Sequence, residues 1–218
     1  MQEIGLIFDM DGVIVDNHIF HYKSWQAICE KYGKPLTEEG YKNNLNGRTL
    51  TEVVKFIFEE EMPLERVREI GNEKEEMYRE LYAPHLKATA GIESFLQTCK
   101  EAKISMAVGT SAPVENVDFT LDGLGFRSYF SAILDERAVT KGKPNPEIYM
   151  KCAKALDIAN QNCIVFEDAV SGIKAGQAAG SKVIALATSH EREELSADLI
   201  VNDFTEVNLN LINELLGK

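Results

Sequence analysis

The apolar positions change character along the chain. Residues 4–8 form a short unbroken apolar run; over roughly 19–86 apolar residues recur at helical spacing among many charges; beyond 89 short apolar runs alternate with amphipathic stretches. A short run closed by a turn signal, here Asp11-Gly12, reads as a buried strand. Over 19–31, Ile19, Tyr22, Trp25, Ile28 and Cys29 mark a helix that Gly33-Lys34-Pro35 stops. Residues 49–58 open on Thr49 with Glu52 three positions on, a capping box, and 64–82 is a long amphipathic segment rich in Glu, Arg and Lys. This interval holds no strand candidate. A strand-free, four-helix block over 16–87, inserted straight after the first strand, reads as a helical cap domain with hinges near 15–17 and 84–89. The remaining 1–15 and 88–218 would form one core.

In that core the pattern predicts helices over 92–102, 114–124, 146–156, 170–179 and 206–216, and strands over 104–108, 131–134, 163–166, 182–187 and 198–201. Strands alternating with helices imply βαβ units, hence an α/β, Rossmann-like parallel sheet covered on both faces. The series Gly172, Gly176, Gly180 reads as close packing of a soluble helix on that sheet, since Lys174 and Gln177 stand among them.

Charge then narrows the partners. A net charge of -12 argues against nucleic-acid and anionic-membrane partners, both of which require a basic face. Attraction for an anionic substrate must therefore be built locally. No apolar stretch approaches the ~20 residues of a membrane span, and Met1 runs almost directly into the first strand, so the expectation is a cytoplasmic protein without a signal peptide. A monomer is expected, although nothing in the sequence fixes the oligomeric state. Cys29, Cys99, Cys152 and Cys163 are widely spaced, as expected of buried reduced thiols. Neither a Walker A loop nor a complete Gly-x-Gly-x-x-Gly is present.

Candidate chemistry gathers where the predicted strands end. Asp9 and Asp11 follow the first strand; taken alone, Asp11-Gly12 is also a strong hairpin signal. A calcium loop is excluded, because counted from Asp9 its sixth position is Ile14 and its twelfth Phe20. The parallel sheet favours a crossover over a hairpin and places ligands at the carboxyl edge of the strands. Thr110 and Ser111 follow 104–108, Glu167 and Asp168 follow 163–166, and Lys143 lies at the mouth of a helix. Each has a plainer reading: Thr110 as an N-cap, Lys143 as a solvated charge, Glu167 and Asp168 as first-turn acids complementing a helix dipole. Together they supply the parts of phosphoryl transfer through a carboxylate: a nucleophile, a second acid to protonate the leaving oxygen, and cationic and hydroxyl groups for the anionic oxygens. Alternate residues of an extended strand share a face, which would let Asp9 and Asp11 address one phosphate.

In this order Phe8-Asp9-Met10-Asp11-Gly12-Val13, Thr110-Ser111, Lys143-Pro144 and Glu167-Asp168 resemble the four motifs of the haloacid dehalogenase superfamily, in the helical-cap subfamily containing β-phosphoglucomutase and small sugar-phosphate phosphatases. The resemblance spans essentially the whole chain. It implies Asp9 as nucleophile, Asp11 as general acid/base, Thr110-Ser111 and Lys143 as phosphate binders, and Mg²⁺ held by Asp9, the Asp11 carbonyl and Asp168 with Glu167 close by. The dehalogenases of the superfamily lack the second aspartate and the metal, so Asp11 favours phosphoryl chemistry.

The resemblance also points to His21 and Lys74 as cap residues that respond to substrate; as plainer readings, His21 packs a helix and Arg48 and Lys74 are solvated. The mutase cap loop follows Lys-Gly-x-Ser-Arg, whereas Asn46-Gly47-Arg48-Thr49-Leu50 has Asn for the lysine and Leu for the arginine that grips a second phosphate. The expectation is therefore a Mg²⁺-dependent phosphatase of a small phosphorylated metabolite, with β-phosphoglucomutase as the alternative. A receiver-like phospho-Asp switch is the reading from another class. The helical insertion and the second acid fit catalysis better.

Overall fold

The computed structural model describes residues 4–45 and 49–218. They form two compact units, one comprising the chain up to Asp16 together with Leu86–Lys218 and the other Asn17–His85.

The first unit is built on six parallel strands, β1 (Gly5–Phe8), β2 (Ser105–Gly109), β3 (Ala132–Leu134), β4 (Cys163–Glu167), β5 (Lys182–Leu186) and β6 (Leu199–Val201), in the order β3-β2-β1-β4-β5-β6. Successive strands build outward in one direction from β1 and in the other from β4. The order therefore reverses between β1 and β4, the switch point at which α/β sheets bind ligands. β1 and β4 are buried throughout, which is why β1 and residues 163–166 of β4 read as unbroken apolar runs.

Alternation sorts their side chains into two layers. Phe8 and Phe166 are paired in register and stack with ring centroids 4.7 Å apart. Phe95 and Phe204 join this cluster, their centroids 5.7 and 5.1 Å from Phe166, and Phe130 meets Phe8 edge-on at 5.8 Å. On the opposite face Ile7 and Val165 join a core with Ile148, Tyr149 and Cys152. By the same alternation Asp9 and Glu167, next along each strand, project from the Ile7 face.

Among the described residues this unit holds, with short 3-10 turns between elements, the α-helices α5 (Ile92–Glu101), α6 (Val114–Gly123), α7 (Glu147–Ala155), α8 (Val170–Ala178) and α9 (Leu209–Leu215). The last begins later than the pattern predicts, because the Asn208 side chain caps it by accepting from Leu211 N–H at 3.0 Å. The glycine series divides into separate roles. A Cβ on Gly176 would stand 2.9 Å from Val183 Cγ2, so this residue permits close packing on the sheet, whereas Gly180, at φ +85°, ends the helix.

The second unit contains α1 (His18–Lys31), α2 (Glu38–Asn44), α3 (Leu50–Phe58) and α4 (Leu64–Tyr82). The Thr49–Glu52 capping box opens α3. Trp25, Ile28, Val54, Ile57, Val67 and Ile70 form its core. Among the described residues no helix is long and apolar enough to cross a membrane. All four cysteines are free and buried.

Phe166 lies at the centre of the aromatic layer. Phe166→Ala should lower the unfolding free energy by roughly 3–5 kcal/mol, measured from the denaturant midpoint.

Candidate active site

Asp9 is the first residue past β1, and its N–H still donates to Phe166 O at 2.9 Å, continuing the ladder to β4. Extended geometry ends there. The amides of Val13, Ile14 and Val15 all turn back to Met10 O, so Asp11 occupies a turn and the strand alternation invoked to align it with Asp9 does not apply. Asp11 nevertheless acts on Asp9, as one of the charges that disfavour its ionised form.

Glu167 is the last residue of β4 rather than a residue of a helix, and α8 has no acid in its first turn. Its carboxylate is fully buried and takes four donors. Oε1 accepts from Lys143 Nζ at 2.7 Å and from the Tyr149 hydroxyl at 2.6 Å; Oε2 accepts from the N–H groups of Asp168 at 2.8 Å and Ala169 at 3.0 Å. Burial alone would raise the Glu167 pKa, but the charge and hydrogen bond of Lys143, with Tyr149 and Ala169, outweigh it and lower the pKa. Lys143 is not a solvated loop charge. Its ammonium is buried, 3.0 Å from Asp9 Oδ1 as well as hydrogen-bonded to Glu167. Burial works against its charged form, yet Asp9 and Glu167 together raise its pKa.

Asp9 fares differently. Burial, only partly offset by Lys143 and reinforced by Glu167, Asp168 and Asp11, raises its pKa. The contact with Lys143 is an ion pair lacking the angles of a hydrogen bond, which leaves Oδ1 buried without a hydrogen-bond partner. Asp9, Glu167 and Asp168 each present an oxygen within 4.8 Å of the others. An all-carboxylate cluster suits a hard divalent cation. The under-donated Asp9 oxygen fits such an ion; the saturated Glu167 carboxylate fits the ammonium it already holds.

Thr110 follows β2 on the other side of β1. It is buried, its N–H donates to Leu134 O at 3.0 Å, and its hydroxyl accepts from Ala112 N–H at 3.1 Å. It is not the N-cap of α6, a position held by Pro113. Ser111 beside it is exposed. In the second unit His21 and Lys74 touch each other, with Lys74 Nζ 2.8 Å from His21 Nδ1. His21 stacks on Tyr78 at 4.2 Å, and Lys74 is buried and paired with Glu75, so neither is a free surface group. Asn46, Gly47 and Arg48 lie outside the described residues.

Several residues that shape the site carry no chemical signature in the sequence. Gly12, at φ +73°, leaves room for Asp168: a Cβ there would stand 2.0 Å from Asp168 Oδ2. Gly172 does the same for Glu167, with a Cβ 1.6 Å from Oε1. Thr188 donates to Gly12 O at 2.6 Å and Ser189 to Asp168 O at 2.9 Å, fastening both acidic loops to the segment after β5. The Glu147 carboxylate clasps the loop that carries Lys143, accepting from Thr140 N–H, Thr140 O–H and Lys141 N–H at 3.0, 2.9 and 3.1 Å, and from Lys151 at 2.6 Å.

The hydrogen bond from Lys151, then those from Thr140, hold the Glu147 pKa down from 4.5 to about 2. A lowered folded-state pKa adds stability above the unfolded value that is lost as pH falls through the folded one. The stability difference between the native chain and Glu147→Gln should therefore be constant above pH 4.5 and vanish towards pH 2, read from denaturant midpoints across that range.

Known proteins resemble this chain in sequence and in fold. The sequence profile of haloacid dehalogenase-like hydrolases matches residues 6–186. A phosphorylated carbohydrates phosphatase from Thermotoga maritima is 31% identical over 179 residues, covering 81% of each chain. The β-phosphoglucomutase of Bacillus subtilis is 29% identical over 217 residues, covering 96% of this chain and 94% of that one. The crystal structure of a family IA, variant 3 hydrolase from Entamoeba histolytica superposes with a TM-score of 0.92 at 28% identity, over 100% of both chains. The chain thus belongs to the haloacid dehalogenase-like hydrolases, as an enzyme of their phosphohydrolase and phosphomutase branch.

Proposed function

We propose that the chain is a Mg²⁺-dependent phosphatase of small phosphorylated metabolites, sugar phosphates foremost, that passes the phosphoryl group first to Asp9 and then to water. The observation that carries this reading is Asp9 itself: a buried carboxylate at the switch point, with a lysine ammonium 3.0 Å from the oxygen that lacks a hydrogen-bond donor. The relatives named phosphatases support the same chemistry.

In this scheme the ionised Asp9 attacks phosphorus in line with the leaving oxygen. Asp11, two residues on, protonates that oxygen and later takes a proton from the water that attacks the phosphoenzyme, a role typically worth ~10²–10⁴ in rate. Lys143 and the Thr110-Ser111 segment hold the phosphoryl oxygens, with charge and hydrogen bonds in place before the reaction begins. Glu167 holds Lys143 and keeps its charge. Asp9, Asp168 and the Asp11 carbonyl would hold Mg²⁺, with Glu167 beside them; when bound, the cation adds positive charge against the phosphoryl oxygens and favours ionised Asp9. The helical unit serves as the cap, with His21, Lys74 and the Asn46-Gly47-Arg48 segment as its substrate-selecting residues.

The mutase is the second reading, favoured by the relative from B. subtilis that matches almost the entire chain. Against it stand Asn46 and Leu50 at the positions of the mutase lysine and arginine. A mutase must grip both ends of a bisphosphate, whereas a phosphatase needs one.

Asp9→Asn should abolish Mg²⁺-dependent turnover of p-nitrophenyl phosphate, and Asp11→Ala should lower it by at least ~10²; retained turnover in Asp9→Asn would overturn the scheme. Phosphate release should exceed isomer formation when β-glucose 1-phosphate is supplied with a bisphosphate primer. Dominant conversion to glucose 6-phosphate in the coupled assay would instead establish the mutase.

A further inference from the structure

Tyr149 sits on α7 in the apolar layer with Ile7, Cys152 and Val165, fully buried. A phenylalanine would fill such a place without burying a hydroxyl, which is costly unless the hydroxyl finds a partner. Here the partner belongs to the site. The hydroxyl donates to Glu167 Oε1 at 2.6 Å, the same oxygen that accepts Lys143 Nζ at 2.7 Å. Tyr149 also meets the ammonium directly, its ring centroid lying 4.9 Å from Nζ, within cation–π range. From that position Nζ reaches Asp9 Oδ1 at 3.0 Å.

We propose that Tyr149 is a positioning residue that keeps the Lys143 ammonium shared between Glu167 and Asp9. This rests on the reading of Lys143 as the group that stabilises the transferred phosphoryl. Nζ already lies closer to Glu167 than to Asp9. Glu167 cannot turn away, because its other oxygen is fixed by the backbone N–H groups of Asp168 and Ala169. The Tyr149 hydroxyl occupies part of Oε1 and so limits how strongly that oxygen draws the ammonium, while the ring supports the ammonium from one side. Without the hydroxyl, a buried carboxylate short of one donor would pull Lys143 onto itself and away from Asp9. Tyr149 touches neither Asp9 nor the transferred group in this account. Its effect passes through Lys143.

The test separates the two contributions. Tyr149→Phe keeps the ring and removes the hydroxyl; Tyr149→Leu removes both. Expected is a roughly ten-fold fall in kcat/KM for p-nitrophenyl phosphate in the Phe variant, after correction for folded fraction, and a larger fall in the Leu variant. The side-chain ammonium ¹⁵N signal of Lys143, assigned by its absence in Lys143→Met and recorded well below the melting temperature, should shift in the Phe variant. Because the ring is retained, a shift reports movement of the ammonium or loss of its shared bond. An unmoved signal overturns the proposal, whether turnover is unchanged or falls only with the folded fraction. A shifted signal with unchanged kcat/KM in the Phe variant also overturns it. Lys143→Met is the reference for the underlying reading: if it retains turnover, the assignment of Lys143 to the phosphoryl group fails, and the ammonium signal still reports whether Tyr149 holds the lysine.

Discussion

The constraint on which the first unit depends is the burial of one ammonium among carboxylates at the switch point of a parallel sheet. Asp9 and Glu167 stand at adjacent places on neighbouring strands, and Asp168 follows directly. Like charges so close in a poorly solvated place cannot all remain ionised without compensation. Lys143 compensates two of them at once, and the neighbouring structure serves to bring it there. Glu147 clasps the loop before it, and Tyr149 lies under its ammonium. The acids themselves need space, so the two residues that would collide with Asp168 and Glu167 are glycines.

Much of this was legible in the sequence, for reasons specific to parallel sheets. A strand covered on both faces must be apolar throughout, so polar residues at its end stand out, and the carboxyl edge collects them whatever their separation in the chain. That logic points to Asp9 and Asp168 at strand ends and to Lys143 at the mouth of a helix, three residues that the structure brings together, and to Thr110, which directly follows β2. It failed where geometry departs from the regular element. Aligning Asp11 with Asp9 carries strand alternation past the turn that Asp11-Gly12 itself signals, a turn that the amides of Val13, Ile14 and Val15 close on Met10 O. Glu167 was placed past its strand because a charged residue inside a fully buried strand contradicts the pattern that defines the strand, and only four donors make it tolerable.

Other parts were hidden because their residue types have a commoner use. Tyr149 has the spacing of a core aromatic, and it is one; its hydroxyl is informative only once Glu167 Oε1 is known to lie 2.6 Å away. Gly172 and Gly176 are four residues apart and look equivalent, yet one makes room for a carboxylate and the other for a valine. Thr188 and Ser189 act through carbonyls of residues distant in sequence, Gly12 lying 176 positions away from Thr188. No local pattern can encode such a partner.

The contrast between Asp9 and Glu167 shows how little position alone says about two acids in one site. Both are acids at the ends of adjacent central strands, both are buried, and both touch Lys143. They differ in donors. Glu167 has four, so its charge is settled and its lone pairs are committed, whereas Asp9 Oδ1 has an ion pair and no hydrogen bond. The consequence is opposite shifts, Glu167 held towards its charged form and Asp9 pushed from it. A carboxylate whose lone pairs are all engaged is a poor nucleophile and a poor ligand. One that is buried, under-donated and beside a cation retains a lone pair with which to attack or to bind a metal. The distribution of hydrogen-bond donors, rather than the presence of carboxylates at a strand tip, distinguishes the residue suited to reaction from the residue suited to holding the lysine.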